Sequence, residues 1–288
     1  MIHQLSKPAF AYLELLGKEQ SVRLLTLFAE IDAGKYAKDE LHEFRLAGFP
    51  NPVFLRAIRA DMQSFINTFI EPYLSEKPYL HGNGLIVDAG ANIGYTALLF
   101  AQWWPGSTIV SIEPDLENCE LARMNTREYP NIHIVHGALW NRSCMLCIGA
   151  GQEDGFVVRE GNASNPQNAT QAVTMPELMT RFKSDRIAFL KLNVEGSEKE
   201  IFSSACELWL PHTEALLVEL HDGKNPGCSR AVFSALSAHS FAVAETASYG
   251  ILFAKEEMYR RWYINWYRDA VYAPGVDKQR FPDLYLDA

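Results

Sequence analysis

Apolar positions change period along this chain, and each change marks an element. Over residues 1–48 the spacing is helical: Phe10, Leu13 and Leu16, then Val22, Leu25 and Phe28, recur at every third residue, as on one face of a helix. Gly34 interrupts the series, and Leu41, Phe44 and Leu46 predict another short element before Gly48. From residue 49 onward, short continuous apolar runs are separated by longer amphipathic stretches. A proline-led run over 49–56 predicts an edge strand, and a helix over 65–73 follows, begun by Asp61 or Ser64 as a cap. The runs at 85–87, 107–114, 132–137, 187–192 and 214–222 read as strands, and 95–104, 116–129 and 229–239 as helices. Pro105-Gly106 closes the first of these helices, Asp115 caps the second, and Cys228 or Ser229 caps the third. Met175-Pro-Glu-Leu starts a further helix with proline in its first turn. Ser197 with Glu200 three residues on has the form of a capping box. Residues 144–148 and 156–159 predict short extended segments, and 161–171, rich in Asn, Gly and Ser, a loop suited to touching a substrate. Two strand-like runs, 241–244 and 251–254, close the series as a hairpin.

Strands alternating with helices predict an α/β fold: a doubly wound, seven-stranded, mostly parallel sheet with an antiparallel strand at or near one edge. Three regions are expected: an N-terminal helical cap over 1–48, the sheet domain over 49–257, and an extension over 258–288. The Tyr and Trp of that extension fall at mixed spacing, which suits packing, including against a second copy in a homodimer.

The turn after the 85–87 strand carries the candidate chemistry. It reads Asp88-Ala-Gly90-Ala-Asn92-Ile-Gly94 and runs straight into a helix at Tyr95 and Thr96. A turn of this kind holds nucleotide-like ligands at the carboxyl end of a parallel strand. The G-x-N-x-G spacing is not the G-x-G-x-x-G that seats a pyrophosphate. Asp88 would repel a pyrophosphate and suits a cationic or amino-bearing ligand. Glu113, 19 residues after Gly94 and followed by Pro114, stands where an acid grips a ribose diol. Together these features point to S-adenosylmethionine, with an α/β turn that holds no ligand as the bland alternative. Gly137 and Ala138, at the end of the next strand, would lie beside the adenine.

A second polar group gathers at Arg186-Ile-Ala-Phe-Leu-Lys-Leu-Asn-Val-Glu-Gly196. Period two places Lys191, Asn193 and Glu195 on one face at the strand's carboxyl end, although Glu195 could simply pair with Lys191. Glu219 and His221 share a face at the exit of the next strand, and histidine suits proton abstraction at neutral pH. Arg56 and Asp61, at the end of the 49–56 strand, complete the candidates.

Composition narrows the class. A formal net charge of -9 argues against a general nucleic-acid binder. The five cysteines read as reduced thiols, and Cys144 with Cys147 has no second pair to make a zinc site. The first residues lack the pattern of a signal peptide and no run approaches a membrane span, so a cytoplasmic protein is expected.

The chain resembles the FkbM-type S-adenosylmethionine-dependent methyltransferases, within the Rossmann-like class I methyltransferase fold. The resemblance covers about residues 50–255. It is carried by Arg56 with Asp61, Val87-Asp-Ala-Gly-Ala-Asn-Ile-Gly94, Ile112-Glu-Pro114, Leu190-Lys-Leu-Asn-Val-Glu-Gly196 with Glu198, and Val218-Glu-Leu-His221. The family usually has Asp where this chain has Asn193, which can only donate and accept hydrogen bonds. The resemblance implies transfer of a methyl group to a hydroxyl of a sugar or natural-product small molecule. Asp88, the 90–94 turn, Glu113, Arg56 and Asp61 would serve the cofactor, and Asn193 would stand near its amino-acid end. Glu195 or His221 would orient or deprotonate the hydroxyl, near Lys191. The alternatives are a nucleic-acid or other N-methyltransferase, a non-catalytic cofactor-binding homologue, and a metal-assisted variant with Glu195, Glu219 and His221 as ligands. No resident metal is expected.

Overall fold

The computed structural model of the chain describes residues 7–70, 78, 80, 83–149, 156–161, 168–247 and 250–258. The elements in order are α1 (Lys7–Asp32), β1 (Leu41–Phe44), β2 (Val53–Arg56), α2 (Arg59–Phe65) running into a π-helical turn (Ile66–Ile70), β3 (Leu85–Ala89), α3 (Tyr95–Trp103), β4 (Thr108–Glu113), α4 (Leu116–Thr126), β5 (Ile132–His136), β6 (Ala138–Leu139), β7 (Met145–Ile148), β8 (Val158–Glu160), β9 (Ala169–Val173), α5 (Met175–Arg181), β10 (Ile187–Leu192), α6 (Glu198–Ser203), β11 (Thr213–Val218), α7 (Cys228–Ala238), β12 (Phe241–Ala247) and β13 (Gly250–Lys255).

Seven strands form the central sheet in the order β12-β13-β11-β10-β3-β4-β5. β11, β10, β3, β4 and β5 pair in parallel, and β13 is antiparallel to both its neighbours. This is the doubly wound sheet expected, with the antiparallel strand one place in from the edge. Every residue of β3 and of β10 is buried, as continuous apolar runs require when helices cover both faces. β4 and β10 flank β3, and the chain leaves β3 toward one and reaches the other later. The carboxyl ends of β3 and β10 therefore border the switch point, where such sheets open a crevice.

The N-terminal elements are not purely helical. β1 pairs antiparallel with β2, joining Leu41 to Arg56 and Phe44 to Val53, so a boundary at residue 48 would cut a strand pair. Leu24, Phe28, Phe44 and Leu55 share one hydrophobic core with Ile93, Tyr95 and Leu98 of the glycine turn and α3. The helical pattern of α1 needs correcting too. Leu13, Val22 and Leu25 are exposed, while Tyr12, Leu16, Leu24, Leu27 and Phe28 are buried. A kink at Gly17, with φ at 72°, breaks the helix into two segments and shifts the phase of the buried face.

Other boundaries differ for local reasons. α2 begins at Arg59 after Ile58, not at an Asp61 or Ser64 cap, because the Asp61 carboxylate turns back to Arg56. Ser197 is already helical and makes no capping bond, and Glu200 instead accepts from Asn225. The capping box of this region is Thr174 with Glu177, at the start of α5. α7 starts from Gly227, whose N–H donates to Asp222. Residues 169–171, assigned to a loop by composition, are strand β9, in a four-stranded sheet ordered β6-β9-β7-β8. Its Ala-Thr-Gln-Ala-Val sequence is too weakly apolar to announce a strand. Cys144 and Cys147 are free thiols. Of the extension over 258–288, residues beyond Met258 lie outside the described residues.

Candidate active site

The glycine turn is built by close packing. Gly90 N–H and Ala91 N–H both donate to Ile112 O of β4 at 3.0 Å. Gly90 has φ at 82°, and a Cβ there would lie 1.8 Å from Asn193 O. No other residue type fits, because the turns after β3 and β10 touch at that point. Gly94 also has a packing part. With φ at 85°, its missing Cβ would come within 3.1 Å of Ala122 on α4, so it seats α3 on α4. Tyr95 is also core: its hydroxyl donates to Phe54 O at 2.8 Å and its ring meets Phe65 and Phe69. Thr96 is buried in α3.

Asp88 does not present a bare carboxylate. Register places it opposite Lys191 on the neighbouring strand, and the fully buried pair meets at 3.0 Å. Burial raises the Asp88 pKa, and Lys191 offsets this. Lys191 Nζ also donates to Gly90 O at 2.8 Å. The expected common face of Lys191, Asn193 and Glu195 is therefore absent. β10 ends at Leu192, the strand period stops there, and Glu195 has a left-handed backbone, φ 55°.

Glu113 closes β4 and is almost fully buried. Its carboxylate accepts from Asn92 N–H at 2.8 Å and Asp115 N–H at 3.1 Å. Desolvation by burial pushes its pKa up to about 7, against these hydrogen bonds. Asn118, missed in the sequence, donates its amide N–H to Glu113 at 3.4 Å, and its amide oxygen accepts from the Arg56 guanidinium at 2.6 Å. Arg56 in turn grips Asp61 through two guanidinium bonds, at 2.8 and 2.9 Å. Arg56 and Asp61 thus brace Glu113 from behind through Asn118. The only advance sign of Asn118 was its place one turn into α4, facing the exit of β4. Pro114 O meets His136 Nε2 at 3.0 Å. Gly137 donates to Glu113 O, and Ala138 begins β6, so both flank the exit of β4.

The second cluster surrounds His221. Its Nδ1 lies 2.6 Å from Glu198 Oε1, and its Nε2 lies 3.6 Å from both Glu195 and Glu219. Burial pulls the imidazole pKa down, but the three carboxylates outweigh it and hold the pKa at about 10. With its imidazolium form favoured and both ring nitrogens facing carboxylates, His221 is better placed to orient a carboxylate than to take a proton from a hydroxyl. Glu195 is also held by Lys224 Nζ. Glu198 and Lys224 were not assigned roles from sequence, although Glu198 was visible in the Glu-Gly-x-Glu run. Among the described residues, no group of three or more His, Cys, Asp or Glu side chains is arranged to hold a metal ion.

At the switch point, Asn193 N–H donates to Ala89 O at 3.0 Å, while its buried side-chain Oδ1 accepts no hydrogen bond among the described residues. A buried carbonyl oxygen without a donor is costly. Beside the glycine turn it is a place for an incoming N–H.

The sequence matches the model of the methyltransferase FkbM domain over residues 88–247, more than half of the chain. No curated protein matches it. Among solved structures, a precorrin-6y C5,15-methyltransferase from Geobacter metallireducens is 14% identical with a TM-score of 0.37, over 62% of this chain and 85% of that one. A methyltransferase from Pyrococcus furiosus is 16% identical with a TM-score of 0.35, over 82% of this chain and 98% of that one. A SAM-dependent methyltransferase from Aquifex aeolicus is 13% identical with a TM-score of 0.35, over 61% and 84%. With the family domain spanning the glycine turn, both acid-bearing strand ends and the β11 exit, the chain belongs to the FkbM methyltransferase family and is an S-adenosylmethionine-dependent methyltransferase.

Proposed function

We propose that this protein methylates a hydroxyl of a sugar or natural-product small molecule in the cytoplasm. The site suits S-adenosylmethionine, because the orphaned Asn193 Oδ1 is a ready acceptor for an ammonium and Glu113 for ribose hydroxyls. When bound, the cofactor supplies a methyl group already activated on a sulfonium.

The chain's own residues have three tasks. Asn193 and Glu113 bind and orient, with Arg56, Asp61 and Asn118 keeping Glu113 in place. Asp88 and Lys191 fix the glycine turn from below. Glu195 receives the proton that leaves the hydroxyl as its oxygen takes the methyl. The observation that carries this reading is the state of His221. With both of its nitrogens facing carboxylates, it orients Glu195 and leaves that carboxylate to accept the proton. An ionised carboxylate is acceptor-only and suits a neutral hydroxyl donor. Much of the acceleration then comes from alignment. α1 with the β1–β2 pair serves as a structural cap on this domain, and no described helix is long and apolar enough to cross a membrane.

The test is turnover with S-adenosylmethionine and a panel of hydroxylated sugars and glycosides, read as release of the demethylated cofactor and the mass gain of a methyl ether. Glu195→Gln is expected to lower kcat by about a hundredfold, with KM little changed. Methylation confined to amines or nucleic acid would contradict the proposal. Asn193 sustains a second reading, a binding protein that has lost turnover. In that case Asn193→Asp would restore activity that the unaltered chain lacks.

A further inference from the structure

Beside the β10 turn lies a cavity of about 330 Å³, within the ~300–1,000 Å³ of small-molecule sites. The β8 end of the small sheet forms one wall, with Trp140, Val158 and Arg159. The loops after β10 and β11 form the other, with Gly196, Lys224 and Asn225. The cavity lies beside the candidate proton acceptor: two of its lining residues are Gly196, which follows Glu195, and Lys224, which pairs with it.

The charges that line the cavity are committed, with one exception. Glu160 accepts from Trp140 Nε1 at 3.0 Å and from Arg142 Nε at 3.1 Å. Glu200 accepts from the Asn225 amide at 3.2 and 3.3 Å, and Lys224 is held by Glu195. The Arg159 side chain makes no ion pair or hydrogen bond among the described residues, although Glu160 is its chain neighbour. Its guanidinium is a planar fork matched to carboxylate and phosphate, and it borders a cavity that also offers an indole wall.

We propose that this cavity seats the methyl acceptor, and that the acceptor is a hydroxylated molecule bearing a carboxylate or phosphate, which Arg159 holds while a hydroxyl faces Glu195. The proposal rests on the methyltransferase reading above. It differs from that reading in requiring a negative charge on the acceptor.

Titration of the full chain, saturated with S-adenosylhomocysteine, with glucuronate, glucose 6-phosphate and glucose tests it by ligand-observed NMR. Charge-assisted hydrogen bonds at this site correspond to roughly a tenfold or greater preference for an anionic sugar over glucose. The carboxylate and phosphate arms show which anion is read. Arg159→Gln is expected to abolish the preference, and it is an exposed position that the fold tolerates. Equal binding of all three sugars, a preference that survives in Arg159→Gln, or no sugar binding to a protein that binds S-adenosylhomocysteine would each overturn the proposal and leave the methyltransferase reading standing. Failure to bind S-adenosylhomocysteine would bring down both.

Discussion

At the scale of single residues, two shifted groups set the pH behaviour. His221 titrates at about 10 in the fold, above its ordinary value near 6.5. Its contribution to stability is therefore fully present below about pH 6.5 and is lost as pH rises through about 10. Urea midpoints of the unaltered protein are expected to fall between these limits more steeply than those of His221→Gln, and equal slopes would remove the imidazolium. Glu113 is the opposite case, an acid whose pKa burial raises to about 7. Its protonated form is favoured, so its stabilising share is present below about pH 4.5 and is lost as pH rises through about 7. Accepting from ribose hydroxyls needs the ionised form. Affinity for S-adenosylhomocysteine is thus expected to rise with pH through about 7, and to be weak and flat in Glu113→Gln when followed by calorimetry. Neither shift was legible in the sequence. Glu113 and His221 stood out by position at strand ends, but what surrounds them comes from α4, from the turn after β10 and from Glu198.

At the scale of elements, register decides the role of Lys191. It lies opposite Asp88 across the β3–β10 pair, and neither charge reaches solvent. Lys191→Met is expected to cost about 3–5 kcal/mol of unfolding free energy by leaving Asp88 buried without a partner. Adding Asp88→Leu is expected to recover much of that loss in the same urea titration. A catalytic lysine would instead reduce turnover with little effect on stability. The strands themselves were plain from their apolar runs, but pairing between runs about a hundred residues apart leaves no local mark. For the same reason Lys191, Asn193 and Glu195 read as one face, when the strand in fact stops at Leu192. Gly94 carries a similar lesson. Its spacing belongs to the ligand-binding pattern, and it also serves helix packing against Ala122. Gly94→Ala is expected to lower stability by about 1–3 kcal/mol through its positive φ and the tight contact, seen as a lower urea midpoint.

At the scale of the molecule, the doubly wound sheet followed from the alternation of strand and helix patterns, down to the closing hairpin of β12 and β13. β2, β7 and β8 were legible as the short extended runs over 49–56, 144–148 and 156–159, but β6, β9 and the pairing that joins these short strands into sheets were not, because the strands are short and only partly apolar. They matter to the account: β2 delivers Arg56 to the network behind Glu113, and β8 forms a wall of the cavity beside Glu195. The central claim is that the carboxyl ends of β3, β4 and β10 form a cofactor site in which Glu113 is indispensable. Calorimetric titration of the purified chain with S-adenosylmethionine and S-adenosylhomocysteine, beside Glu113→Ala, tests it most directly. Micromolar binding that falls by about a hundredfold or more in the variant is the expected result. A folded protein that binds neither ligand, or a Glu113→Ala protein that binds both as tightly as the unaltered chain, would contradict it.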